Sequence, residues 1–287
     1  MESATDNSAL DVVQQRYTQG SSPKERSDNH IVIAVFEPGA MRTITVASQA
    51  AAIELLGRRD SFDIVGGSSS GAMIAACLAA RQTEEMLRTF LFDVRQPEVV
   101  NLGRIFRGNI VDIRFLVEKI LRRPDNGLSW QAVRDSDIPL KVLARSARRG
   151  DAVVFDQFET EEDFFGALAA SAWMPRVAGW RPYEHKGHRY WDLMDNGLEE
   201  LVLAGMTHAV LFKSSSRRSR YSRTVLTSKV NIDEIRPSKT IRRLETRLPT
   251  LKDAVRYGAL AVFEAFQPTE SELNRVRERY ESLGVVL

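Results

Sequence analysis

Apolar runs alternate with segments of helical periodicity across residues 31–80. Ile31 to Phe36 is a continuous apolar, β-branched run, which predicts a parallel-sheet strand buried on both faces. Small and apolar residues then recur at helical spacing from Thr43 to Leu56. A second apolar run, Phe62 to Val65, precedes an alanine-rich helix from Gly71 to Arg81. This order of strands and helices predicts a βαβα unit.

The rest of the chain predicts further elements in a less regular order. The polar stretch from Met1 to Asn29 predicts a disordered tail with a short helix around Leu10 to Tyr17, and it lacks the apolar region of a secretory signal. Helices are predicted at Thr83 to Val94, Val111 to Arg122, Thr160 to Ala172, Leu198 to Ala204, Leu251 to Phe266 and Glu270 to Leu283. Residues 95–109 are predicted as a loop, and strands are predicted at Pro139 to Ala147, Ala152 to Phe155, Tyr183 to Trp191 (as a hairpin) and Thr207 to Phe212.

A G-x-S-x-G sequence, Gly67 to Gly71, lies between the second predicted strand and the helix that follows it. Glycines on both sides of Ser69 let the backbone turn sharply, as a nucleophile elbow requires. G-x-S-x-G alone is a weak signal, and an inert glycine-serine turn is the alternative. The flanking strand and helix favour Ser69 as a nucleophile.

A serine hydroxyl is a poor nucleophile unless a base takes its proton. The chain offers four histidines, namely His30, His185, His188 and His208. Their positions beside strands or in a hairpin turn are typical of surface or structural histidines, which leaves the carboxylates. Asp192, which follows a predicted strand, is the best placed, and Asp195 is its rival. Asp192 can act as base and orienting group in a Ser-Asp dyad, with a helix or turn cap as its alternative role.

The net charge of +2 is unevenly distributed over the 287 residues. Lys213 to Arg256 contains 13 Lys and Arg against 4 Asp and Glu, so this segment carries +9 and the remainder −7. A basic segment beside an acidic body suggests an anionic partner such as phospholipid headgroups. A solvated loop is the alternative for its serine-flanked arginines, which are Arg217, Arg218, Arg220 and Arg223. No recognised nucleic-acid motif accompanies these charges, so a nucleic-acid partner is not expected.

Composition adds expectations about the compartment. A hydrophobic fraction of 43% is enough for one substantial core. There is no apolar run of about 18 residues, so no membrane-spanning helix is predicted. The single cysteine, Cys77, cannot form an intramolecular disulfide and suits a reducing compartment. We therefore expect a cytoplasmic location, peripheral to a membrane if the basic segment binds lipid.

Several motifs in order make the chain resemble the patatin-like phospholipases of bacteria. In that family a strand leads into a loop of the type E-G-G-G-M-R-G, and Glu37, Gly39, Met41 and Arg42 match it. A helix, a strand and G-x-S-A-G-A follow, matched by Gly67, Ser69, Gly71 and Ala72. Residues 167–175 look like the family's A-L-x-A-S-x-x-x-P segment, and residues 187–192 look like the strand into its D-G-G motif. The resemblance covers about residues 31–213.

The resemblance implies a three-layer α/β/α fold with a mainly parallel central sheet. It implies a Ser-Asp dyad, Ser69 and Asp192, that hydrolyses acyl esters of lipids without a metal or other cofactor. The loop from Gly39 through Ala40 and Met41 to Arg42 would supply backbone N–H groups to the developing oxyanion. The corresponding organisation is a tail at residues 1–29, a catalytic domain at 30–213, and a basic segment with C-terminal helices at 214–287.

The chain also departs from the family pattern. Pro38, which has no N–H, and Ala40 replace two of the loop glycines, and Thr43 replaces another. Leu193 and Met194 follow Asp192 in place of the D-G-G glycines, so either the turn Asp195-Asn196-Gly197 substitutes for that motif or the geometry of the dyad is altered. Loss of one oxyanion donor typically lowers turnover by roughly 10²- to 10³-fold. A catalytically weakened or inactive member that binds lipid or regulates a partner is therefore the second hypothesis. A Ser69, Asp192 and His208 triad ranks below both, because α/β-hydrolases usually place several strands before the elbow.

Overall fold

The computed structural model describes residues 7–195, 197–202, 205–218 and 230–287. The strands are β1 (Val32–Phe36), β2 (Ile64–Ser68), β3 (Leu140–Ser146), β4 (Ala152–Phe155), β5 (Tyr183–His185), β6 (His188–Trp191), β7 (His208–Phe212) and β8 (Asn231–Ile235). The helices are α1 (Ala9–Thr18), α2 (Thr43–Leu55), α3 (Ser70–Ala79), α4 (Thr83–Phe92), α5 (Ile113–Phe115), α6 (Trp130–Arg134), α7 (Glu161–Ser171), α8 (Leu198–Val202), α9 (Leu248–Phe266) and α10 (Glu270–Ser282). Short 3₁₀ turns occupy Ala40–Arg42, Arg59–Ser61 and Leu102–Arg107, and a π-helical turn, Leu116–Leu121, extends α5.

These strands form one sheet in the order β5-β6-β3-β2-β1-β7-β8, and β4 also pairs with β3. Strands β3, β2, β1, β7 and β8 are parallel, whereas β4, β5 and β6 add antiparallel pairs beyond β3. Phe36 at the end of β1 is in register with Gly67 in β2 and Phe212 in β7. The segments that follow these strands therefore leave the sheet at the same edge.

Alternate residues of the central strands enter two separate cores. Val32, Ala34 and Phe36 of β1 contribute to the larger core, which α1 to α4, α7, α9 and α10 cover. Ile33 and Val35 face the smaller core, which α8 and the loops beside it cover. The α/β/α layering and the mainly parallel sheet are confirmed, with one thick helical layer and one thin layer.

The C-terminal helices belong to the larger core. Leu251 and Val255 of α9 are fully buried in it. A Cβ atom at Gly258 would lie 2.3 Å from the backbone oxygen of Thr45, so glycine permits the close contact of α9 with α2. The Tyr280 hydroxyl of α10 donates to the Ser48 backbone oxygen at 2.6 Å. The boundary between residues 213 and 214 stays a prediction, but the helices beyond it share the core of the rest of the chain.

Residues 7–29 differ from the predicted disordered tail. The short helix is present as α1, opened by a reciprocal capping box between Ser8 and Asp11. Its apolar residues Ala9, Val12 and Val13 are buried. Their spacing of three and four places them on one helical face, a signal that the polar composition of the segment obscured.

Arg16 fastens α1 to the sheet. Its guanidinium is fully buried and donates to Asp28 at 2.7 and 2.8 Å and to Asp63 at 2.8 Å. It also donates to the backbone oxygens of Ser61 and His30. The hydrogen bond from Arg16 lowers the pKa of Asp28 to about 2. This ion-pair network adds to the apolar contacts that Ala9, Val12 and Val13 make with the larger core.

Two further elements differ from the sequence-based expectations. Strand β8 pairs in parallel with β7 inside the basic segment, where no strand was predicted. The predicted helix from Val111 to Arg122 is present only in part, because α5 continues as a π-helical turn. The predicted loop at residues 95–109 contains the 3₁₀ turn at Leu102–Arg107.

Replacement of Arg16 should destabilise the protein. We expect Arg16→Met to lower the free energy of unfolding by about 3 kcal/mol, because it leaves the partly buried Asp28 without its cationic partner and Asp63 with Arg26 alone. Urea unfolding followed by circular dichroism measures this change. Arg149→Met, in an exposed ion pair with Asp151, is the control and should cost less than about 1 kcal/mol. Equal losses for the two variants would contradict the anchoring role of Arg16.

Candidate active site

Ser69 occupies the sharp turn between β2 and α3. Its φ and ψ of 55° and −134° lie in a region that non-glycine residues rarely adopt. Added Cβ atoms at Gly67 and Gly71 would lie 2.8 and 2.1 Å from the Phe36 backbone oxygen. Both glycines are therefore required by the close approach of this turn to the end of β1. The turn has the geometry expected of a nucleophile elbow.

Two neighbouring serines hold the elbow in place. The Ser69 N–H donates to Ser171 Oγ of α7 at 2.7 Å, and the Ser171 hydroxyl donates to the Leu143 backbone oxygen at 2.5 Å. Ser70 Oγ accepts from the Gly39 N–H at 3.3 Å and lies 2.5 Å from Thr43 Oγ1. No role was predicted for Ser70 or Thr43, and Ser171 belongs to the segment at residues 167–175 that resembles a family motif. A serine or threonine next to each glycine motif was the sequence signal from which these contacts could have been predicted.

Asp192 lies beside Ser69 in the folded chain. It follows β6, its side chain is buried, and its carboxyl accepts a hydrogen bond from the Met194 N–H at 2.7 Å. Burial raises the pKa of Asp192 to about 6, against the opposing effects of the nearby Ser69 hydroxyl, the Met194 N–H, Arg145 and Arg243. The structure thus brings together the serine and the carboxyl that the sequence proposed as a pair.

Asp195, the rival of Asp192, contacts the elbow through its backbone. The backbone oxygen of Asp195 accepts a hydrogen bond from the Ser68 hydroxyl. Asn196, the middle residue of the alternative Asp-Asn-Gly turn, lies outside the described residues. The Asp192 carboxyl is the one whose pKa the Ser69 side chain lowers.

The histidines lie elsewhere in the described structure. His208 begins β7 and aligns with Val32 at the start of β1, whereas Ser69 follows the end of β2. Because these strands are parallel, His208 and Ser69 are at opposite edges of the sheet. His30 packs against His208 at 4.5 Å between ring centroids, His185 bonds Asp163 at 3.0 Å, and His188 is in the hairpin. The structure contradicts a triad through His208.

The loop after β1 approaches the elbow and presents one unused donor. The N–H groups of Gly39, Met41 and Arg42 donate to Ser70 Oγ, the Arg243 backbone oxygen and the Gly39 backbone oxygen, at 3.3, 2.8 and 3.0 Å. Within the described part of the chain, the Ala40 N–H has no acceptor. Ala40 adopts a φ of 50°, the left-handed conformation that a glycine at this position would favour. Ala40 is therefore the loop residue whose N–H could serve an oxyanion.

Met194, in the altered D-G-G motif, also adopts a positive φ. Its φ is 61°, and the left-handed conformation directs its N–H to the Asp192 carboxyl. The backbone shape that the family's glycines would allow is thus present at Ala40 and Met194 without glycine. Each residue carries a steric cost of about 1 kcal/mol or more.

An apolar cavity of about 40 Å³ lies beside Ser69. Its wall also includes Ala40 and Ser70, and its remaining lining is apolar, formed by Met41, Met73, Phe90, Val94, Val100, Val111, Ile113, Leu116, Ala172, Met174 and Leu244. Methionine side chains are flexible and adapt to irregular shapes, so three of them allow the cavity to widen. A hydrocarbon chain suits this lining.

Basic side chains form a second depression next to the loop, which we call the basic groove and define by Arg42, Arg217, Lys239 and Arg243. Burial and the neighbouring Arg243 lower the pKa of Arg42, and its Nε has no hydrogen-bond partner among the described residues. Glu37 also lines the groove, but it binds Lys213 at 2.8 Å and the Ser214 N–H at 2.7 Å. Arg220 and Arg223 lie outside the described residues.

The mainly parallel sheet flanked by helices defines a mixed α/β protein, in which Ser69 occupies a turn with the geometry of a nucleophile elbow. The family model described as patatin-like phospholipase matches residues 34–197. The chain belongs to this family, which confirms the resemblance inferred from its motifs.

Comparison with solved structures gives two distant similarities. VipD from Legionella pneumophila is 11% identical, with a TM-score of 0.46 and coverage of 84% of this chain and 67% of VipD. The type III effector protein ExoU is 14% identical, with a TM-score of 0.42 and coverage of 88% of this chain. The chain spans about half of ExoU, 54% of its length. No curated protein sequence matches the chain significantly.

Two further findings concern membrane-spanning helices and metal sites. No helix in the described ranges combines the length and apolarity needed to cross a bilayer. The described residues also contain no group of three or more His, Cys, Asp and Glu side chains arranged to hold a metal ion.

Glycine at position 40 should relieve backbone strain. We expect Ala40→Gly to raise the free energy of unfolding by up to about 1 kcal/mol, because glycine adopts positive φ without the steric cost of a Cβ atom. Chemical denaturation measures the change. Ala47→Gly, at a buried position inside α2, is the control and should lower stability by about 1 kcal/mol or more. Similar losses in both variants would contradict the strained conformation.

Neutralisation of Asp192 should stabilise the fold at neutral pH. Because its folded pKa of about 6 exceeds 3.8, the ordinary pKa of an aspartate, proton binding favours the folded state. The stability that Asp192 contributes is present below about pH 4 and is lost as the pH rises through about 6. Asp192→Asn should therefore raise unfolding free energy at pH 7.5 by on the order of 2 kcal/mol, and by less at pH 5.

Urea unfolding at both pH values measures this difference. Asp151→Asn, which alters an exposed ion pair, is the control and should change stability by less than about 1 kcal/mol at either pH. A gain for Asp192→Asn that is larger at pH 5 than at pH 7.5 would contradict the raised pKa.

Proposed function

We propose that this protein hydrolyses acyl esters of lipids through a Ser69–Asp192 dyad. The observation that carries the proposal is the position of the Ser69 side chain, on its sharp turn, beside the buried Asp192 carboxyl, whose pKa it lowers. Membership of the patatin-like phospholipase family supports a lipid substrate. The apolar cavity beside Ser69 supports the same substrate class, because it suits an acyl chain.

The chemistry begins with a proton transfer. Asp192 accepts the hydroxyl proton of Ser69 as Oγ bonds to the ester carbonyl carbon, and the carbonyl oxygen becomes an oxyanion. Collapse of this intermediate breaks the ester bond, and protonated Asp192 returns the proton to the departing alcohol. Water then attacks the acyl-serine with Asp192 again as base, which releases the fatty acid and restores Ser69. A base with a pKa of about 6 is largely ionised at neutral pH and accepts a proton more readily than an ordinary aspartate.

The oxyanion would be met by the N–H of Ala40. This group has no acceptor among the described residues, and Ala40 and Ser69 line the same cavity. We assign the other loop residues supporting roles. Gly39 binds the Ser70 hydroxyl, Met41 binds the Arg243 backbone, and Arg42 contributes its side chain to the basic groove.

The basic groove supports the proposal that the substrate carries an anionic group or that the protein binds an anionic membrane. Arg217, Lys239 and Arg243 come from the basic segment and meet Arg42 next to the loop after β1. Four cationic side chains in one depression attract phosphate or carboxylate groups. The buried Cys77 supports a reducing compartment such as the cytoplasm as the site of this activity.

Lipid binding without turnover is the second candidate function. Three of the four N–H groups from Gly39 to Arg42 already donate within the protein, which leaves a single loop donor for the oxyanion. This observation favours a slow or inactive enzyme over a fast one. Such a protein would bind lipid vesicles through its basic groove and leave their esters intact.

Serine-directed labelling and ester hydrolysis test the proposal together. The wild-type protein should react with a fluorophosphonate and hydrolyse a short soluble ester, and Ser69→Ala should do neither. Asp192→Asn should lower turnover by at least about 10³-fold, because the serine loses its base. Asp195→Asn tests the rival carboxylate and should retain turnover within about tenfold, because the proposed base is intact.

Each other outcome has a defined meaning. Hydrolysis that persists in Ser69→Ala would sink the proposal. Loss of turnover in Asp195→Asn with activity retained in Asp192→Asn would transfer the role of base to Asp195. Vesicle binding by folded protein without labelling or hydrolysis would favour the second candidate.

A further inference from the structure

Large apolar side chains are exposed on two adjacent segments, which we call the apolar tip and define by Leu102, Ile105, Phe106 and Trp180. Their exposed fractions are 59%, 54%, 95% and 62%. Single exposed apolar residues are common on protein surfaces, but a cluster of this size marks an interaction site. The dyad, the cavity lining and the basic groove do not include these four residues.

The chain holds the first segment in a defined shape. The Gly103 N–H donates to Asn101 Oδ1 at 2.9 Å, and Val100 and Val111 pair as an isolated bridge beneath the turn. Arg104 turns back and donates to the backbone oxygens of residues 97, 98 and 99 at 3.1 to 3.2 Å. Because Arg104 folds inward, Ile105 and Phe106 form the outer surface of this turn.

Trp180 lies directly against the end of the same turn. A Cβ atom at Gly108 would be 2.2 Å from Trp180 Nε1, so glycine at this position allows the indole ring to pack there. The two segments are also joined where the Val111 N–H donates to the Val177 backbone oxygen at 3.1 Å. The exposed side chains of both segments therefore belong to one surface.

Basic side chains outnumber acidic ones around the tip, where Asp112 pairs with Arg104 at 3.6 Å. Residues 99–111 and 173–183 contain Arg104, Arg107, Arg176 and Arg181 and no aspartate or glutamate. Arg176 and Arg181 are exposed beside Trp180. Aromatic and aliphatic side chains flanked by arginine are typical of protein surfaces at the interface of anionic bilayers. Arginines would oppose one another if a second copy covered the tip across a two-fold axis, which favours lipid over self-association.

The tip adjoins the acyl cavity. Val100 and Val111, which flank the first segment, line the cavity beside Ser69, as does Met174, which precedes the second segment. A lipid surface in contact with the tip would thus lie at the same part of the molecule as the cavity lining. An acyl chain could then pass from the bilayer into an apolar site with little exposure to water.

We propose that the apolar tip inserts into the interfacial region of an anionic lipid bilayer and places the acyl cavity at the membrane surface. The purpose of this membrane contact rests on the proposed lipid hydrolase function, but the binding itself does not require catalysis. It adds an apolar anchor, made by segments outside the basic segment, to the electrostatic attraction expected from the basic groove.

Vesicle co-sedimentation of the full-length chain tests the proposal, with vesicles of phosphatidylcholine and phosphatidylserine. The double variant Phe106→Ser and Trp180→Ser should bind at least about tenfold more weakly than the wild type. Leu260→Ser, at an exposed apolar position on α9, is the matched control and should bind as the wild type does. Equal binding by the tip variant and the control would overturn the proposal.

Tryptophan fluorescence provides a second readout. Trp180 is the exposed tryptophan, because Trp130 and Trp173 are buried and Trp191 is half-buried. Vesicles should shift the wild-type emission to shorter wavelength, and Trp180→Phe should lose most of this shift while still binding. A full shift in Trp180→Phe would overturn insertion of this residue.

Hydrolysis of a short soluble ester separates the two proposals. The tip variants should retain Ser69-dependent hydrolysis of this ester within about twofold, because the tip contains no dyad residue. Tip-dependent vesicle binding without hydrolysis would leave the anchor standing and reject the enzyme. Normal hydrolysis with tip-independent binding would reject the anchor alone. Sedimentation velocity tests whether a second copy of the chain covers the tip instead of lipid. A wild-type dimer that dissociates in the tip variants, with unchanged vesicle binding, would assign the tip to self-association and overturn the proposal.

Discussion

The close contact between the elbow and the end of β1 determines the arrangement of the site. Because glycines at positions 67 and 71 leave room for the Phe36 carbonyl, the turn that carries Ser69 lies directly against the strand that leads into residues 37–42. Ser70 then joins the two segments through its hydroxyl. A side chain at either glycine would separate the serine from the N–H donors of the loop, so one steric constraint controls both parts of the proposed chemistry.

The site places an acidic group in surroundings that oppose its charge. Burial raises the pKa of Asp192, while hydrogen bonds and two distant arginines favour the carboxylate. One of them, Arg243, also accepts the Met41 N–H at its backbone oxygen. The basic segment is therefore connected to the site by structure as well as by charge, and the C-terminal third of the chain contributes to the surroundings of the proposed base.

Local patterns in the sequence were sufficient for the elements around Ser69, because buried parallel strands and alanine-rich helices have strong periodic signals. The position of Asp192 was also predictable, but its contact with Ser69 depends on the pairing of β6 with β3. Strand β8 was missed because Asn231–Ile235 mixes acidic and apolar residues within a basic segment. Glycine-like backbone at Ala40 and Met194 could not be predicted, since neither residue type favours positive φ. Leu102, Ile105 and Phe106 of the apolar tip lie within the predicted loop, but their exposure could not be predicted because it depends on how Arg104 folds back.

Cys77 gives the protein a practical property for spectroscopy. Its thiol is buried in α3 and bound to the Met73 backbone oxygen at 2.9 Å, and burial raises its pKa well above the usual value. Thiol reagents need an accessible thiolate, so the native cysteine is a poor target for them. A single cysteine introduced at a surface position would be labelled selectively without first removing Cys77. Labels attached to introduced cysteines would then report distances and motions at the apolar tip without a contribution from Cys77.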